Sequence, residues 1–325
     1  MIRALFGIFF ILSALFFWSV FYPVVIKDPL TIAIEPGWSD ERIIEELDNK
    51  NILRSVIFSR IYLLITSTND SLQAGSYKFE GNVSAYDLFS ALVAGSDEFR
   101  EKNITFIEGW TMEDMASYLE REGIIEKTAF IEGTKINYGF PSVSRLPEGR
   151  TLEGYLFPDT YRVFHDVTAE ELVRKMLENF ELKVTDEMRN ALIKDGRTLD
   201  EAIILASILE REVKTYEDKG RASGVFLNRL KAGIPLQADS TVNYITGKST
   251  PRASSEDITV DSPYNTYKYR GLPPGPISNP GLDSIKAAIY PEKNGYYYFL
   301  TTPDGHAIFS KTLDEHNINK RRYYP

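Results

Sequence analysis

A repeated segment constrains the fold of this chain more than any other feature. The sequence IAIEPGWSDERIIEELDNKNIL at 32–53 matches ITFIEGWTMEDMASYLEREGII at 104–125. In both copies a short apolar stretch precedes Gly-Trp, and a hydroxyl residue, Ser39 or Thr111, then stands where a helix N-cap is expected. Apolar residues follow at helical spacing. Each copy is therefore predicted to form a short strand, a turn and a capped helix.

The unit formed by each copy resembles the LysM-like modules that bind glycan chains in cell walls. A unit this small can equally be a folded spacer, and the sequence leaves both interpretations open. Between the copies, residues 74–95 predict a strand, a turn and a short helix. Proline and glycine residues at 137–150 then predict a domain boundary. We therefore expect a LysM-like region at 28–140 and a second domain at 150–325.

The N-terminal segment is apolar, and residues 4–26 contain no charged side chain. A helix of roughly 20 apolar residues spans the hydrocarbon core of a bilayer, and the bulky residues that end this run do not suit signal-peptide cleavage. We therefore expect a cytoplasmic tail at 1–3 and an uncleaved transmembrane helix at 4–26. Arg3 before the span favours a cytoplasmic N-terminus. The expected protein crosses the cell membrane once and exposes its second domain to the periplasm or the exterior.

Composition excludes several classes of function. The chain has 46 acidic and 37 basic side chains and a net charge of −9, which argues against nucleic-acid binding. It has no cysteine, so thiolate catalysis and disulfides are excluded. Its three histidines do not have the HExxH spacing of zinc proteases. We expect neither a metal nor a cofactor.

The second domain is predicted to mix helices with strands. Helices are expected at about 170–180 and 200–214, and a third should end near Gly233. Residues 240–247 predict a strand, and 296–310 predict a hairpin with Pro303 in its turn. The expected fold class is therefore α+β: an N-terminal transmembrane helix, LysM-like α+β subdomains and a mixed α+β domain.

Glu210 follows the apolar run 203–209 on the predicted helix. A carboxyl group beside a packed apolar face is harder to ionise, and a neutral acid is what general acid catalysis needs. A glutamate at the end of such a run is also commonly a solvated residue, and the helix alone leaves both interpretations open. Glu212 is expected on the other side of the helix, facing water next to Arg211.

Polar and aromatic residues cluster in the segments around this helix. Amides, hydroxyls and rings suit an uncharged, hydroxyl-rich ligand such as a sugar chain. The alternative is that these loops cover the fold and their tyrosines pack. The candidate substrate-binding residues are Glu153, Gln237, Asp239, Ser240, Tyr244, Asn265, Thr266 and Tyr267.

Four ordered segments carry a family resemblance: EGYLFPDTY at 153–161, LASILEREV at 205–213, FLNRLKAGIPLQADSTVNY at 226–244 and SPYNTYKYRGLPPGPISNPG at 262–281. With them the chain resembles the membrane-bound endolytic murein transglycosylase family, lytic transglycosylases with a LysM-like subdomain. The family's catalytic glutamate follows Ala-Ser and two apolar residues, which is the position of Glu210 here. The family commonly continues Glu-Lys-Glu-Thr, whereas this chain has Glu-Arg-Glu-Val.

The resemblance implies a reaction and a set of partners. Glu210 would act as acid and then as base, cutting the bond between N-acetylmuramic acid and N-acetylglucosamine within nascent glycan strands. The product would be a 1,6-anhydromuramyl end, and elongation of the strand would stop. Asp239 and Glu153 are the candidates for stabilising the cationic intermediate, and the sequence does not assign that role to either. The implied partners are the glycan strands of peptidoglycan, the membrane and peptidoglycan synthases.

Two other functions fit the same sequence. A muramidase-type hydrolase would need a second carboxylate to activate water. A non-catalytic, membrane-anchored scaffold would bind the cell wall through the LysM-like units alone.

Overall fold

The computed structural model describes residues 2–68, 71–95, 101–144, 146–147, 149–164, 166–248, 253–302 and 304–324. In these ranges the chain forms thirteen α-helices and six strands, which pair into three two-stranded sheets. The predicted mixture of helices and strands is confirmed. The chain divides into two compact units: residues 1–102 with 162–166, and residues 103–161 with 167–325.

The first unit contains an antiparallel pair of strands covered by helices. The two strands pair with Ile32 opposite Tyr77, and the pairing is irregular between Ile26 and Leu30. Its core gathers apolar residues from both strands and from three helices, including Leu47, Leu63 and Leu88. The elements of this unit are α1 (Ile2–Phe21), β1 (Val24–Ile34), α2 (Asp40–Asn49), α3 (Val56–Ile65), β2 (Gly75–Val83) and α4 (Ala85–Ala94).

The uncharged N-terminal run does not form one long helix. Helix α1 ends at Phe21, and the last residues of the run open strand β1 at Val24. Across the described residues, no helix combines the length and the apolar character that crossing a membrane requires. The predicted transmembrane helix at 4–26, and the single-pass membrane localisation inferred from it, are therefore wrong.

The second unit is mostly helical and contains one short strand hairpin, together with parts of a second pair of strands. Strand β3 pairs with β4, and β5 pairs with β6 in antiparallel register. The remaining elements are β3 (Glu101–Thr105), α5 (Met112–Arg121), α6 (Lys127–Gly133), β4 (Thr160–Phe164), α7 (Ala169–Lys183), α8 (Asp186–Lys194), α9 (Leu199–Glu212), α10 (Tyr216–Lys231), α11 (Asp239–Thr246), α12 (Leu282–Ile289), β5 (Tyr298–Thr301), β6 (Ala307–Ser310) and α13 (Leu313–Tyr323). All of them belong to the second unit except residues 101–102 of β3 and 162–164 of β4, which belong to the first.

The repeat folds as its sequence predicts. In each copy a strand is followed by a Gly-Trp turn, with Gly37 at φ +85° and Gly109 at φ +82°, where glycine avoids backbone strain. Ser39 then caps α2 and Thr111 caps α5. The first copy lies in the first unit and the second copy in the second unit. The domain limits 28–140 and 150–325 stay a prediction.

Local predictions for the second domain are confirmed except at one segment. Helices α7, α9 and α10 and the β5–β6 hairpin form where they were expected, although Pro303 lies outside the described residues. Residues 240–247 were predicted as a strand but belong to α11, which ends on Gly247 in the left-handed conformation. Buried packing of Thr241 and Val242 outweighs the strand preference of β-branched residues there.

Candidate active site

Helix α9 carries Glu210 in its last turn. A capping box fixes the start of the helix, because Thr198 N donates to Glu201 at 2.8 Å and Glu201 N donates to Thr198 at 3.1 Å. All residues from 202 to 209 are buried, and the helix packs against α8, α10, α11 and α12. Glu210 therefore follows eight consecutive buried residues, and its own side chain is only 8% exposed.

Both carboxylate oxygens of Glu210 have partners. Oε1 accepts a hydrogen bond from Lys219 Nζ at 2.8 Å, and Oε2 accepts one from the backbone N–H of Gly281 at 2.9 Å. The Lys219 side chain is 4% exposed, so the ion pair is buried. Removing either member of such a pair leaves an uncompensated charge, which is strongly unfavourable. Glu210 is therefore fixed in position by two hydrogen bonds and is not a solvated residue at the end of a helix.

Lys219 was not among the residues predicted from the sequence. It lies on α10 with Ala222, Ser223 and Phe226, all of which are buried. Residues three, four and seven positions apart lie on one face of a helix. A lysine with this spacing from small and apolar residues is therefore expected on the buried face. That spacing was the signal that could have identified it as a partner for a buried acid.

Two loops meet at the Glu210 carboxylate. Gly109 N donates to Asn279 O at 2.9 Å, and Asn279 N donates to Trp110 O at 2.8 Å. Arg211 Nη1 also donates to Gly109 O at 3.3 Å. The turn of the second repeat copy is therefore fastened to the loop that contains Gly281.

Glu153 lies behind these loops, 5% exposed. Its carboxylate accepts hydrogen bonds from Met112 N at 3.1 Å and from Asn279 Nδ2 at 2.8 Å. The amide oxygen of Asn279 in turn accepts from Gly154 N at 2.8 Å and Leu156 N at 3.1 Å. Burial raises the pKa of Glu153 to about 8, while the bonds from Met112 and Asn279 act in the opposite direction. The predicted ligand-binding residue thus holds the two loops in place.

Glu108 is a second acid beside Glu210 that the sequence reasoning missed. Its side chain is exposed, but its carboxylate lies against Gly281, where an added Cβ would collide with it. Partial burial raises the pKa of Glu108, and the negative charge of Glu210 raises it further. A difference between the two repeat copies could have identified Glu108, because the first copy has Pro36 at the matching position.

Gln237 belongs to a separate polar cluster. Its side-chain oxygen accepts a hydrogen bond from Arg229 Nη2 at 2.6 Å, and its backbone N donates to Thr266 O at 3.1 Å. The backbone of Gln237 has φ +54°, an uncommon conformation for a residue other than glycine. Such strain persists where the surrounding bonds impose it.

The start of α11 extends this cluster. Tyr267 donates its hydroxyl to Asp239 Oδ1 at 2.7 Å, and burial together with this bond raises the pKa of Tyr267. Ser240 N donates to Glu212 Oε1 at 3.1 Å. Glu212 was expected to face water, but its carboxylate lies against the start of α11, and burial raises its pKa. The expectation that Glu212 faces water is therefore wrong, because α11 covers this side of α9.

The remaining predicted residues are mostly buried. Asn265 is fully buried and donates to the backbone oxygens of Ile258 and Val260 at 2.9 and 2.8 Å. Thr266 is 1% exposed, and Tyr244 packs on Tyr264 with 5.2 Å between ring centroids. The structure thus brings five of the predicted residues together: Gln237, Asp239, Ser240, Thr266 and Tyr267. It connects Glu153 to the loops around Glu210 and places Tyr244 against another tyrosine.

Comparison with known proteins identifies the family. A curated Bacillus subtilis (strain 168) protein named endolytic murein transglycosylase is 32% identical over 310 residues, covering 91% of this chain and 85% of that protein. A protein of the same name from Streptococcus pneumoniae (strain D39) is 29% identical, and the alignment spans 90% of this chain but 58% of the pneumococcal protein. A crystal structure of a yceG-like protein from Listeria monocytogenes matches with a TM-score of 0.62 and 31% identity, over 91% of this chain and 100% of that one. The predicted resemblance is confirmed. The family model described as "YceG-like family" matches residues 32–322, and the chain belongs to that family.

Proposed function

We propose that this protein is a lytic transglycosylase that cuts peptidoglycan strands internally, between N-acetylmuramic acid and N-acetylglucosamine. The observation that carries the proposal is Glu210, a carboxylate 8% exposed and held by Lys219 and Gly281 at the end of a buried helix. The names of the curated relatives support the same reaction and substrate.

In the first step the protonated Glu210 donates its proton to the glycosidic oxygen. The bond from that oxygen to C1 of the muramic residue breaks, and positive charge develops at C1. Glu210 becomes a carboxylate at the same moment. Lys219 Nζ, 2.8 Å away, and the Gly281 N–H, 2.9 Å away, stabilise the negative charge that forms.

In the second step the C6 hydroxyl of the same muramic residue attacks C1. A bond forms between O6 and C1, and the hydroxyl proton passes to the Glu210 carboxylate, which restores the acid. The product is a 1,6-anhydromuramyl end, and no water is consumed. The near-complete burial of Glu210 limits access of competing water to this carboxylate.

We propose further that the cluster around Gln237, Asp239 and Tyr267 binds the sugar chain. These side chains offer amide, carboxylate and hydroxyl groups, which suit glycan hydroxyls and acetamido groups. Glu153 and Asn265 act behind the binding surface, because their hydrogen bonds go to the protein itself. Gln237→Ala should therefore raise KM more than it lowers kcat.

Product analysis tests the reaction directly. The full chain is incubated with uncrosslinked glycan strands, and the new ends are identified by mass spectrometry. The wild-type protein should give anhydromuramyl ends from internal cuts. Glu210→Gln, which cannot cycle a proton, should lose activity by about 10²- to 10⁴-fold. Glu132→Gln, which removes an equal charge from a side chain 69% exposed, is the matched control and should stay active.

A muramidase-type hydrolase is the second candidate, because Glu108 provides another carboxylate next to Glu210. A hydrolase would leave reducing muramic ends in the same experiment. Finding them in place of anhydro ends would replace the transglycosylase proposal with this one. Binding of strands without any new ends would indicate the non-catalytic scaffold.

We also propose that the enzyme acts on newly made strands and works beside peptidoglycan synthases. An enzyme that cuts within strands shortens chains that a synthase is still extending. Adding the protein to a synthase reaction should therefore shorten the mean strand length, and Glu210→Gln should leave it unchanged. Activity confined to old, crosslinked wall material would contradict this part of the proposal.

A further inference from the structure

Gln237 is an exposed residue whose backbone conformation is imposed by its neighbours. Its φ of +54° lies in the left-handed region, which a residue other than glycine adopts at a cost in free energy. Two hydrogen bonds to Thr266 hold this conformation: Gln237 N donates to Thr266 O at 3.1 Å, and Ala238 N donates to Thr266 Oγ1 at 3.0 Å. Backbone strain of this kind is concentrated at ligand-binding positions.

Arg229 is a buried residue that fixes the side chain of Gln237. It is 5% exposed, and its Nε and Nη1 donate to Pro235 O at 2.9 Å and to Tyr297 O at 3.0 Å. Its guanidinium group also lies over the ring of Tyr298, 5.3 Å from the centroid. The remaining contact runs from Nη2 to Gln237 Oε1 at 2.6 Å. The oxygen of the Gln237 amide is therefore bound to an immobile donor.

The chemistry of arginine determines the orientation of the Gln237 amide. A guanidinium group carries N–H donors and no acceptor, so only the oxygen of the amide can face Arg229. The NH2 group must then point away from the guanidinium. Among the hydrogen bonds of the described residues, Gln237 Nε2 has no protein acceptor. Gln237 therefore offers N–H donors to a molecule that binds at its exposed surface.

The charged groups nearest to Gln237 have opposite signs. Arg229 places a positive charge behind the amide, and Asp239 lies two residues further along the chain. Asp239 Oδ1 accepts a hydrogen bond from the Tyr267 hydroxyl at 2.7 Å. Because the two charges act in opposite directions on a bound ion, the direction of the hydrogen bond from Gln237 is the distinguishing feature of this surface.

The cluster around Gln237 is connected to the helix of the candidate acid. Ser240 N donates to Glu212 Oε1 at 3.1 Å, and Glu212 lies with Glu210 in the last turn of α9. A glycan strand held at Gln237 is therefore held on the same connected framework as Glu210.

We propose that Gln237 is a specificity-determining residue that binds the carbonyl oxygen of an N-acetyl group on the glycan, with Arg229 as its positioning residue. This inference rests on the proposed function. Hydroxyl groups both donate and accept, so a fixed donor does not distinguish between them. The carbonyl oxygen of an acetamido group only accepts, and removing the acetyl group leaves an ammonium group that only donates. The protein should therefore cut N-acetylated strands in preference to N-deacetylated strands.

The test compares uncrosslinked strands, the same strands after N-deacetylation, and deacetylated strands that have been acetylated again with acetic anhydride. The full chain is used, and kcat/KM for the formation of new 1,6-anhydro ends is measured by mass spectrometry. The wild-type protein should cut the deacetylated strands about tenfold less efficiently, the size expected for one lost hydrogen bond and an unpaired donor. Acetylating these strands again should restore the rate.

Variants of Gln237 connect the preference to this side chain. Gln237→Glu replaces the outward donor with an acceptor, so it should cut deacetylated strands at least as efficiently as acetylated ones. Gln237→Ala removes the contact, and the tenfold preference should fall to about threefold or less. Glu132→Gln is again the control on a surface side chain and should keep the wild-type preference. Because Gln237 is exposed, thermal unfolding should show that both variants fold.

Variants of Arg229 test the positioning role. Arg229→Lys still has donors and no acceptor, so the amide of Gln237 should keep its orientation and the preference should stay within about twofold of wild type. Arg229→Gln can both donate and accept, which allows the Gln237 amide to turn, and the preference should fall. Should Arg229→Gln fail to fold in thermal unfolding, the Gln237 variants still decide the proposal.

Equal cleavage of acetylated and deacetylated strands by the wild-type protein would overturn the proposal. A preference that persists unchanged in Gln237→Ala and Gln237→Glu would also overturn it, and would indicate that the donor serves another acceptor, such as a peptide carbonyl on the muramic residue. Failure of the proposed function looks different, because the wild-type protein would then produce no 1,6-anhydro ends even from fully acetylated strands.

Discussion

The two copies of the repeat have the same local structure but different surroundings. Both place a glycine of positive φ before a tryptophan and cap the following helix with a hydroxyl residue. In the first copy the hydrogen bonds of the turn stay local, since the backbone and indole N–H groups of Trp38 both donate to Glu35. In the second copy the turn is bonded to Asn279, 169 residues away from Trp110.

This difference shows which part of the repeat is structural and which part serves the site. The strand, turn and cap follow from sequence shared by both copies. The link to Glu210 depends on three features of the second copy: a carboxylate at Glu108, the bond from Met112 to Glu153, and the bonds to Asn279. A common local fold thus contributes to the candidate active site through contacts that the repeat itself does not encode.

The largest effect should come from Asn279→Ala. This fully buried side chain bonds Glu153, Trp110 O and the N–H groups of Gly154 and Leu156. Leaving several buried polar groups without partners should lower the free energy of unfolding by about 4 kcal/mol and remove most activity. Chemical denaturation and the rate of anhydromuramyl end formation measure the two effects.

The matched change in the first copy is Trp38→Ala, in a partly buried residue that packs on the core of its unit. It should also destabilise the protein but leave the remaining folded molecules active. If Trp38→Ala lowered the activity per folded molecule as much as Asn279→Ala did, the proposed division between the copies would be wrong.

A smaller effect is expected from the buried acid beneath the second copy. Burial raises the pKa of Glu153 from 4.5 to about 8 in the folded protein. Between those values the folded state holds a proton that the unfolded state has lost, so stability falls as pH rises. Each pH unit in this range changes the free energy of unfolding by about 1.4 kcal/mol, and relaxation of the site reduces the total. The wild-type protein should therefore lose about 2–3 kcal/mol of stability between pH 5 and 8 because of Glu153.

Glu153→Gln is neutral at every pH and should lack this part of the slope. Thermal unfolding of both proteins at several pH values gives the comparison, and the difference in slope is the quantity of interest because the substitution also changes hydrogen bonds. Equal slopes would mean that Glu153 is ionised in the folded protein throughout this range.

Much of the fold was accessible from sequence because its signals are local. Hydroxyl caps, helical spacing and the Gly-Trp turn act within a few residues, and they located α2, α5, α7, α9 and α10. Two predictions failed where tertiary structure decides. The absence of charge at 4–26 could not show that the helix ends at Phe21, and β-branched residues at 240–247 could not show that α11 is packed as a helix.

The candidate site shows the same limit. Glu210 was chosen as the candidate acid because an apolar run precedes it and because its motif resembles that of a known family. Lys219 and Glu108 were missed, since their relation to Glu210 depends on how α10 and the second repeat turn are packed against α9. Glu212 was placed in water for the same reason, because the sequence of α9 does not reveal its neighbour α11.

Removing the helix caps sharpens the comparison further. Ser39 accepts from Arg42 N at 3.4 Å, and Thr111 accepts from Asp114 N at 3.1 Å. Ser39→Ala and Thr111→Ala should each cost about 1 kcal/mol of stability. Only Thr111→Ala should also lower kcat, by about threefold, because Met112 at the start of that helix positions Glu153. Equal kcat values in the two variants would contradict the special role of the second copy.

The smallest effect should follow from giving the first copy the acid of the second. Pro36→Glu places a carboxylate at the position that matches Glu108, but that turn lies in the other unit and has no contact equivalent to Glu108 on Gly281 among the described contacts. Stability should fall by about 0.4–1 kcal/mol, because the unfolded chain gains freedom when proline is removed. The rate of anhydromuramyl end formation per folded molecule should not change. A large change in that rate would show that a carboxylate on either repeat turn affects the reaction, and the placement of Glu108 beside Glu210 would then lose its significance.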